Sequence, residues 1–237
     1  VDVKISISET ASMPYACRIS SYNTVRIFKK KFKLQIATSP AAEAKEVFEI
    51  MQDIFKGYVE FIPSNSLLAI DLDNINFTLH PLPVLLNYGA IEKNPEGFRH
   101  YMDGITPEIT RLMEKMDEER RAIGRAYGVN LIEALEQLKM FYGDNDTKTY
   151  YEYVQSPQSP YEDLIGHNIK GRYLTEDVPG VLVPALLLAR KAGCSAPTVE
   201  LAVELASRLH GVDYLKNGTT LETLGIADLS IDQIRNI

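Results

Sequence analysis

The hydrophobic period changes at Pro63, and that change limits the folds open to this chain. Upstream, apolar residues alternate. Val1, Val3, Ile5 and Ile7 in "VDVKISI" are spaced as on a half-buried strand. "TVRIF" and "FKLQIAT" read as strands flanking Lys29-Lys30-Lys31, as a hairpin or as neighbours, with the three lysines as a solvated turn. "PAAEAKEVFEIMQDIF" (40–55) then reads as an amphipathic helix with Pro40 near its start. Downstream, almost every signal is helical. In 64–79, Leu68, Leu72, Ile75 and Leu79 recur at four, three and four, which marks one apolar stripe. The clearest helix is 105–128: Thr106 and Pro107 supply cap and first turn, Ile109, Leu112, Met113, Met116 and Ile123 the stripe, and Gly128 the stop. Tyr-rich 142–161 has no clean period and reads as a long loop with one helical turn, a candidate cover over a site. Helices near 180–192 and 197–210, ended by Gly193 and Gly211, and a short one after Ser230 complete the chain. The expected fold is therefore mainly α. A helical bundle at 63–237 follows strands and one helix at 1–62 that resemble the last part of an α/β sheet.

Charge narrows the partners. A net charge of −7 argues against nucleic acid or an anionic membrane as the main one. The longest apolar run, "VLVPALLLA" (181–189), is far too short to span a bilayer. Cys17 and Cys194 form no spaced motif, and no signal-peptide pattern opens the chain, so a reducing, cytoplasmic setting is expected. Because it begins at Val1 within a strand-like stretch, the sequence reads as a piece of something longer.

Two stretches hold candidate chemistry. In "NINFTLHPLPVLLNYG" (74–89), His80 lies one position beyond the apolar stripe, with Asp73 and Asn76 before it on roughly the same face. Pro81 disfavours the α conformation at His80, so the helix is expected to end or kink there. A satisfied core histidine and a catalytic base at a cleft wall both fit. In "GRYLTEDVPGVLVP" (171–184), Arg172, Glu176 and Asp177 precede Pro179 and an apolar run. They read either as a helix N-terminus with its acids and a pairing arginine, or as an orienting carboxylate for a histidine plus a guanidinium for a substrate carboxylate. His100, His167 and His210 lack metal-ligand spacing and are read as core or surface residues, with no metal expected.

Taken together, "NINFTLHP…LNYGAIE", "YMDGITPEITRLMEKMDEER" and "RYLTEDVPGVLVP" resemble the helical second domain of the opine dehydrogenases. "ETASMPYACRI" resembles the "ET…PYxxR" segment at the end of that family's nucleotide-binding domain, and "APTVELAVELASRLHGVDYLKNGTTLETLGI" its C-terminus. The resemblance implies an oxidoreductase that condenses an amino acid with a 2-oxo acid and reduces the imine with NADH or NADPH. It implies His80, paired with Asp177, as general acid/base and Arg172 as a carboxylate ligand. Cys17, Glu9 and Arg18 fall in the segment that ends near the cleft of such folds, with Cys17 and Glu9 as substrate contacts. On this reading residues 1–62 are the last strands of the nucleotide-binding domain and 63–237 the substrate domain. No G-x-G-x-x-G appears, so NAD or NADP would be held mainly by a domain missing from this chain. Gly180 stands where the family pattern often has an aromatic residue. A homodimer is compatible with the sequence. The alternatives are another dehydrogenase with a helical second domain, such as a ketopantoate reductase or glycerol-3-phosphate dehydrogenase relative, and a non-catalytic helical dimerisation module. The former depend on a lysine, and no lysine here shares a constellation with His80 and Asp177. The latter gains if the two residues lie beyond hydrogen-bond reach.

Overall fold

A computed structural model describes residues 5–162 and 164–237; Val1 and Val3 of the expected first strand lie outside the described residues. The β elements are β1 (Ile7–Thr10), β2 (Tyr15–Ser21), β3 (Thr24–Lys30), β4 (Lys33–Ser39) and β5 (Glu60–Pro63), with α1 (Ala44–Ile54) between the last two. β4 is the centre of a mixed sheet, antiparallel to β1 and parallel to β5, and α1 makes the crossover that a parallel pair requires. Leu34 and Ile36 of β4 and Phe61 of β5 carry this sheet into the same core as the helices.

One strand pairing differs from expectation. "TVRIF" pairs with Tyr15–Ser21 in a separate two-stranded sheet that turns at Tyr22-Asn23, and not with "FKLQIAT". Burial of Lys31 is the physical reason. Its ammonium donates to Ser12 Oγ (3.0 Å) and Met13 O (2.8 Å) and lies near the rings of Phe141 and Tyr142, while the Phe32 N–H donates to Phe141 O (2.7 Å). The chain is thus pinned between β3 and β4 where a solvated turn was expected. Lys31 is only 4% exposed, and burial pushes its ammonium down to about 8.

The helical part runs through α2 (Leu67–Leu72), α3 (Asn76–Leu79), α4 (Pro81–Leu86), α5 (Tyr88–Lys93), α6 (Pro107–Ala126), α7 (Ala134–Tyr142) and α8 (Tyr150–Val154). It continues with α9 (Arg172–Thr175), α10 (Val183–Lys191), α11 (Pro197–His210), α12 (Tyr214–Asn217) and α13 (Ile231–Arg235). α6 is the central column, capped by the Thr106 side chain and in contact with α3, α4, α10 and α11. Gly193 and Gly211, at φ +66° and +64°, supply the left-handed residues that stop α10 and α11. The stripe expected as one helix over 64–79 is broken in two. α2 stops at Asp73, whose wholly buried carboxylate accepts from Arg120 Nη1 (2.7 Å), Gln35 Nε2 (3.0 Å) and the Ile132 N–H (3.1 Å). Among the described residues, no helix is long and apolar enough to cross a membrane.

Candidate active site

Two breaks in regular helix form the site. At the first, α3 ends and α4 begins on His80, because Pro81 has no N–H to continue the ladder. The backbone kinks there but stays bonded: the His80 N–H donates to Asn76 O (3.2 Å), and His80 O accepts from Val84 (3.4 Å). At the second, α9 passes through Glu176 and Asp177 into a π-helical turn, Val178–Leu182, before α10. Pro179 interrupts the ladder there and its carbonyl accepts from the Thr219 N–H (2.9 Å). Gly218 permits this approach, since a β-carbon on it would lie 2.9 Å from Pro179 O. π-turns often accompany functional positions, and this one begins directly after Asp177.

The two breaks face each other. His80 Nδ1 lies 2.7 Å from Asp177 Oδ2, and both residues are 9% exposed. The carboxylate accepts from Nδ1–H, which leaves Nε2 as the nitrogen that can gain or lose a proton. Nε2 in turn lies 3.0 Å from the Tyr101 hydroxyl. The imidazole stacks on Tyr173 with ring centroids 3.8 Å apart, and Tyr101 stacks on Tyr161 at the same distance. Segment 142–161 therefore ends in a wall of the site through Tyr161. Burial raises the Tyr101 phenol well above its ordinary value, so its proton stays on the oxygen.

His100 packs behind this cluster, fully buried, and its Nε2–H donates to Leu79 O (2.9 Å). Burial, with His80 beside it, pushes it down to about 3, so it is neutral at physiological pH. His167 stands at the rim, pushed down to about 4 by partial burial and then by Arg18. Its Nε2 faces Arg18 Nη1 at 3.3 Å, while Arg18 Nη2 donates to the Tyr173 hydroxyl (2.6 Å).

The other sequence candidates lie around this centre, not in it. Arg172 is exposed, and its Nε donates to Glu176 Oε2 (2.9 Å). Cys17 is half-buried on β2 as a free thiol, near Lys31 and Tyr142. Glu9 lines a cavity of about 590 Å³ together with Asp71, Asn76, Phe77 and Gly180. Partial burial and then the Asp71 carboxylate push Glu9 up to about 7. Tyr101, Tyr173 and His167 escaped the sequence reading as site residues. The one signal for the two tyrosines was their place inside the quoted stretches "YMDGITP" and "RYLTEDVP". Among the described residues, no group of three or more His, Cys, Asp or Glu side chains is arranged to hold a metal ion.

Three comparisons bear on this arrangement. Residues 63–210 match the family described as NAD/NADP octopine/nopaline dehydrogenase, alpha-helical domain. An opine dehydrogenase of Arthrobacter sp. (strain 1C) is 35% identical over 234 residues, covering 98% of this chain and 64% of that protein. A solved octopine dehydrogenase in complex with NADH and agmatine superposes with a TM-score of 0.74 at 18% identity, covering 98% of this chain and 64% of that one. The chain thus spans just under two thirds of the length of these relatives.

Proposed function

This chain belongs to the NAD/NADP octopine/nopaline dehydrogenase family through its alpha-helical domain, and from that premise we propose that it is the substrate and acid/base part of an NAD(P)-dependent opine dehydrogenase-like enzyme. The reaction joins an amino acid's amine to a 2-oxo acid, expels the carbonyl oxygen as water and reduces the imine to a secondary amine. The observation that carries the reading is the 2.7 Å contact between His80 Nδ1 and Asp177 Oδ2 in a cluster that leaves Nε2 to exchange a proton. The nicotinamide, when bound, supplies the hydride. No G-x-G-x-x-G turn lies in this chain, so its residues do not by themselves fit the cofactor's pyrophosphate, and on this reading residues outside the chain bind it.

What the chain supplies is proton management. As imidazolium, held by Asp177, His80 protonates the oxygen that leaves as water. In the reverse direction the neutral ring takes that proton from water as it adds to the imine carbon. Asp177 fixes the tautomer and stabilises the cation, while Tyr173 and Tyr101 restrict the ring. Arg172, at the exposed rim, takes a substrate carboxylate in exchange for Glu176, a swap that costs little because exposed ion pairs are weak. Glu9 contacts substrate from the neighbouring cavity. Residues 1–62 complete the cofactor domain and 63–237 form the substrate domain.

The test uses the complete protein with NADH or NADPH, pyruvate or another 2-oxo acid, and a panel of amino acids. Cofactor oxidation should require both organic substrates, and mass spectrometry should find a secondary-amine dicarboxylate. Oxidation with the oxo acid alone, giving a hydroxy acid, would establish the other dehydrogenase class instead. No oxidation with any pair would favour a non-catalytic module.

A further inference from the structure

Arg18 is a half-buried cation among neutral partners. It projects from β2 with Nη1 3.3 Å from His167 Nε2 and Nη2 2.6 Å from the Tyr173 hydroxyl. Among the described residues, no carboxylate lies within ion-pair distance of it. Buried Arg120, by contrast, has both Asp73 and Asp117 at 2.7 Å. A guanidinium has five N–H groups, and the two contacts of Arg18 use two of them. A partly desolvated cation with donors to spare, and no anion beside it, is built to receive one.

Its position selects the anion. The guanidinium carbon lies 5.8 Å from the centroid of the Tyr173 ring that stacks on His80, so it stands one ring away from the imidazole. Partial burial, and then the charges of Arg18, Arg172 and His80, keep His167 neutral, so it accepts from Arg18 and adds no further cation. The condensation product carries two carboxylates on either side of one secondary amine, and a single guanidinium can fix only one of them. Resting on the reaction assigned above, we propose that Arg18 is a substrate-binding residue that holds one of the product's two carboxylates, with Arg172 holding the other. The hairpin of β2 and β3 is then more than a surface ribbon, because it delivers half of the substrate clamp.

Calorimetric titration of the complete protein with iminodiacetate, the smallest secondary amine bearing two carboxylates, tests this against N-methylglycine, which bears one. Wild type should bind iminodiacetate more tightly than N-methylglycine. Arg18→Gln should weaken iminodiacetate by about 10- to 100-fold, the range for a lost charge-assisted contact, and bring the two ligands close together. Arg18→Lys should fall between, since it keeps the charge but loses the fork. Melting temperatures within a few degrees of wild type should accompany both variants. Iminodiacetate affinity within twofold of wild type in Arg18→Gln overturns the proposal, as does equal weakening of both ligands or the absence of any preference for iminodiacetate in wild type. A protein that binds iminodiacetate through Arg18 yet reduces no amine–oxo acid pair would keep the clamp and discard the assigned reaction.

Discussion

Tyr101 decides what His80 can do with its second nitrogen. The phenol is 3% exposed and lies 3.0 Å from Nε2, the nitrogen proposed above to exchange a proton with substrate. Tyr101→Phe keeps the ring that stacks on Tyr161 and removes only the hydroxyl. The variant should lose about tenfold in kcat, the value of one hydrogen bond, with both KM values little changed. An unchanged kcat would make Tyr101 packing alone. At this scale the sequence was uneven. His80 and Asp177 are 97 positions apart, and no period links them; only the family resemblance joined them. Arg172 was conspicuous because charge is visible in a sequence, yet it is exposed and bound to Glu176. Tyr101 and Tyr173 were inconspicuous because an aromatic stack is a product of tertiary packing, and a lone tyrosine carries no local sign of it.

Among elements, one buried ion cluster joins sheet and bundle beside their shared apolar core. Arg120 of α6 holds Asp73 at the end of α2 and Asp117 one turn back, all with side chains at most 1% exposed. Gln35 of β4 and the backbone of Ile132 add their donors to Asp73. Arg120→Met leaves the Asp73 carboxylate buried without its cation, with Asp117 still paired to Arg121 (2.9 Å), and should cost about 3–5 kcal/mol in urea unfolding. A loss under about 1 kcal/mol would show that the sheet and bundle do not depend on it. The same cluster explains why element boundaries were only partly legible. α6 was readable from end to end because Thr106, Pro107 and a regular stripe are local signals. The break between α2 and α3 was not, because it exists to put Asp73 against residues 47 and 59 positions away. Lys31 misled for a parallel reason: a lysine run reads as solvated until Ser12, Met13 and Phe141 are brought around it.

For the whole molecule, the buried neutral His100 makes folding sensitive to acid. Its folded value is pushed down to about 3 from an ordinary 6.5, so between those limits the unfolded chain binds the proton and the folded one does not. The stabilisation is present above about pH 6.5 and is lost as pH falls toward 3. Urea midpoints for wild type and His100→Gln, measured at pH 7 and pH 5, isolate this group from the other titrating residues. Wild type should lose more stability than the variant over that interval, and equal losses would mean that His100 is not held neutral. On the proposed reading His80 and Asp177 act as one catalytic unit, and a double-mutant cycle on the complete protein measures that coupling. Steady-state kinetics on His80→Ala and Asp177→Asn should each show a loss in kcat/KM of about 10²–10⁴-fold. The double variant should be little worse than the poorer single one, because groups that work as a unit are not additive. Fully additive losses, or singles within a few-fold of wild type, would show that the two residues do not work together and return His80 to the status of a buried histidine satisfied by its neighbours.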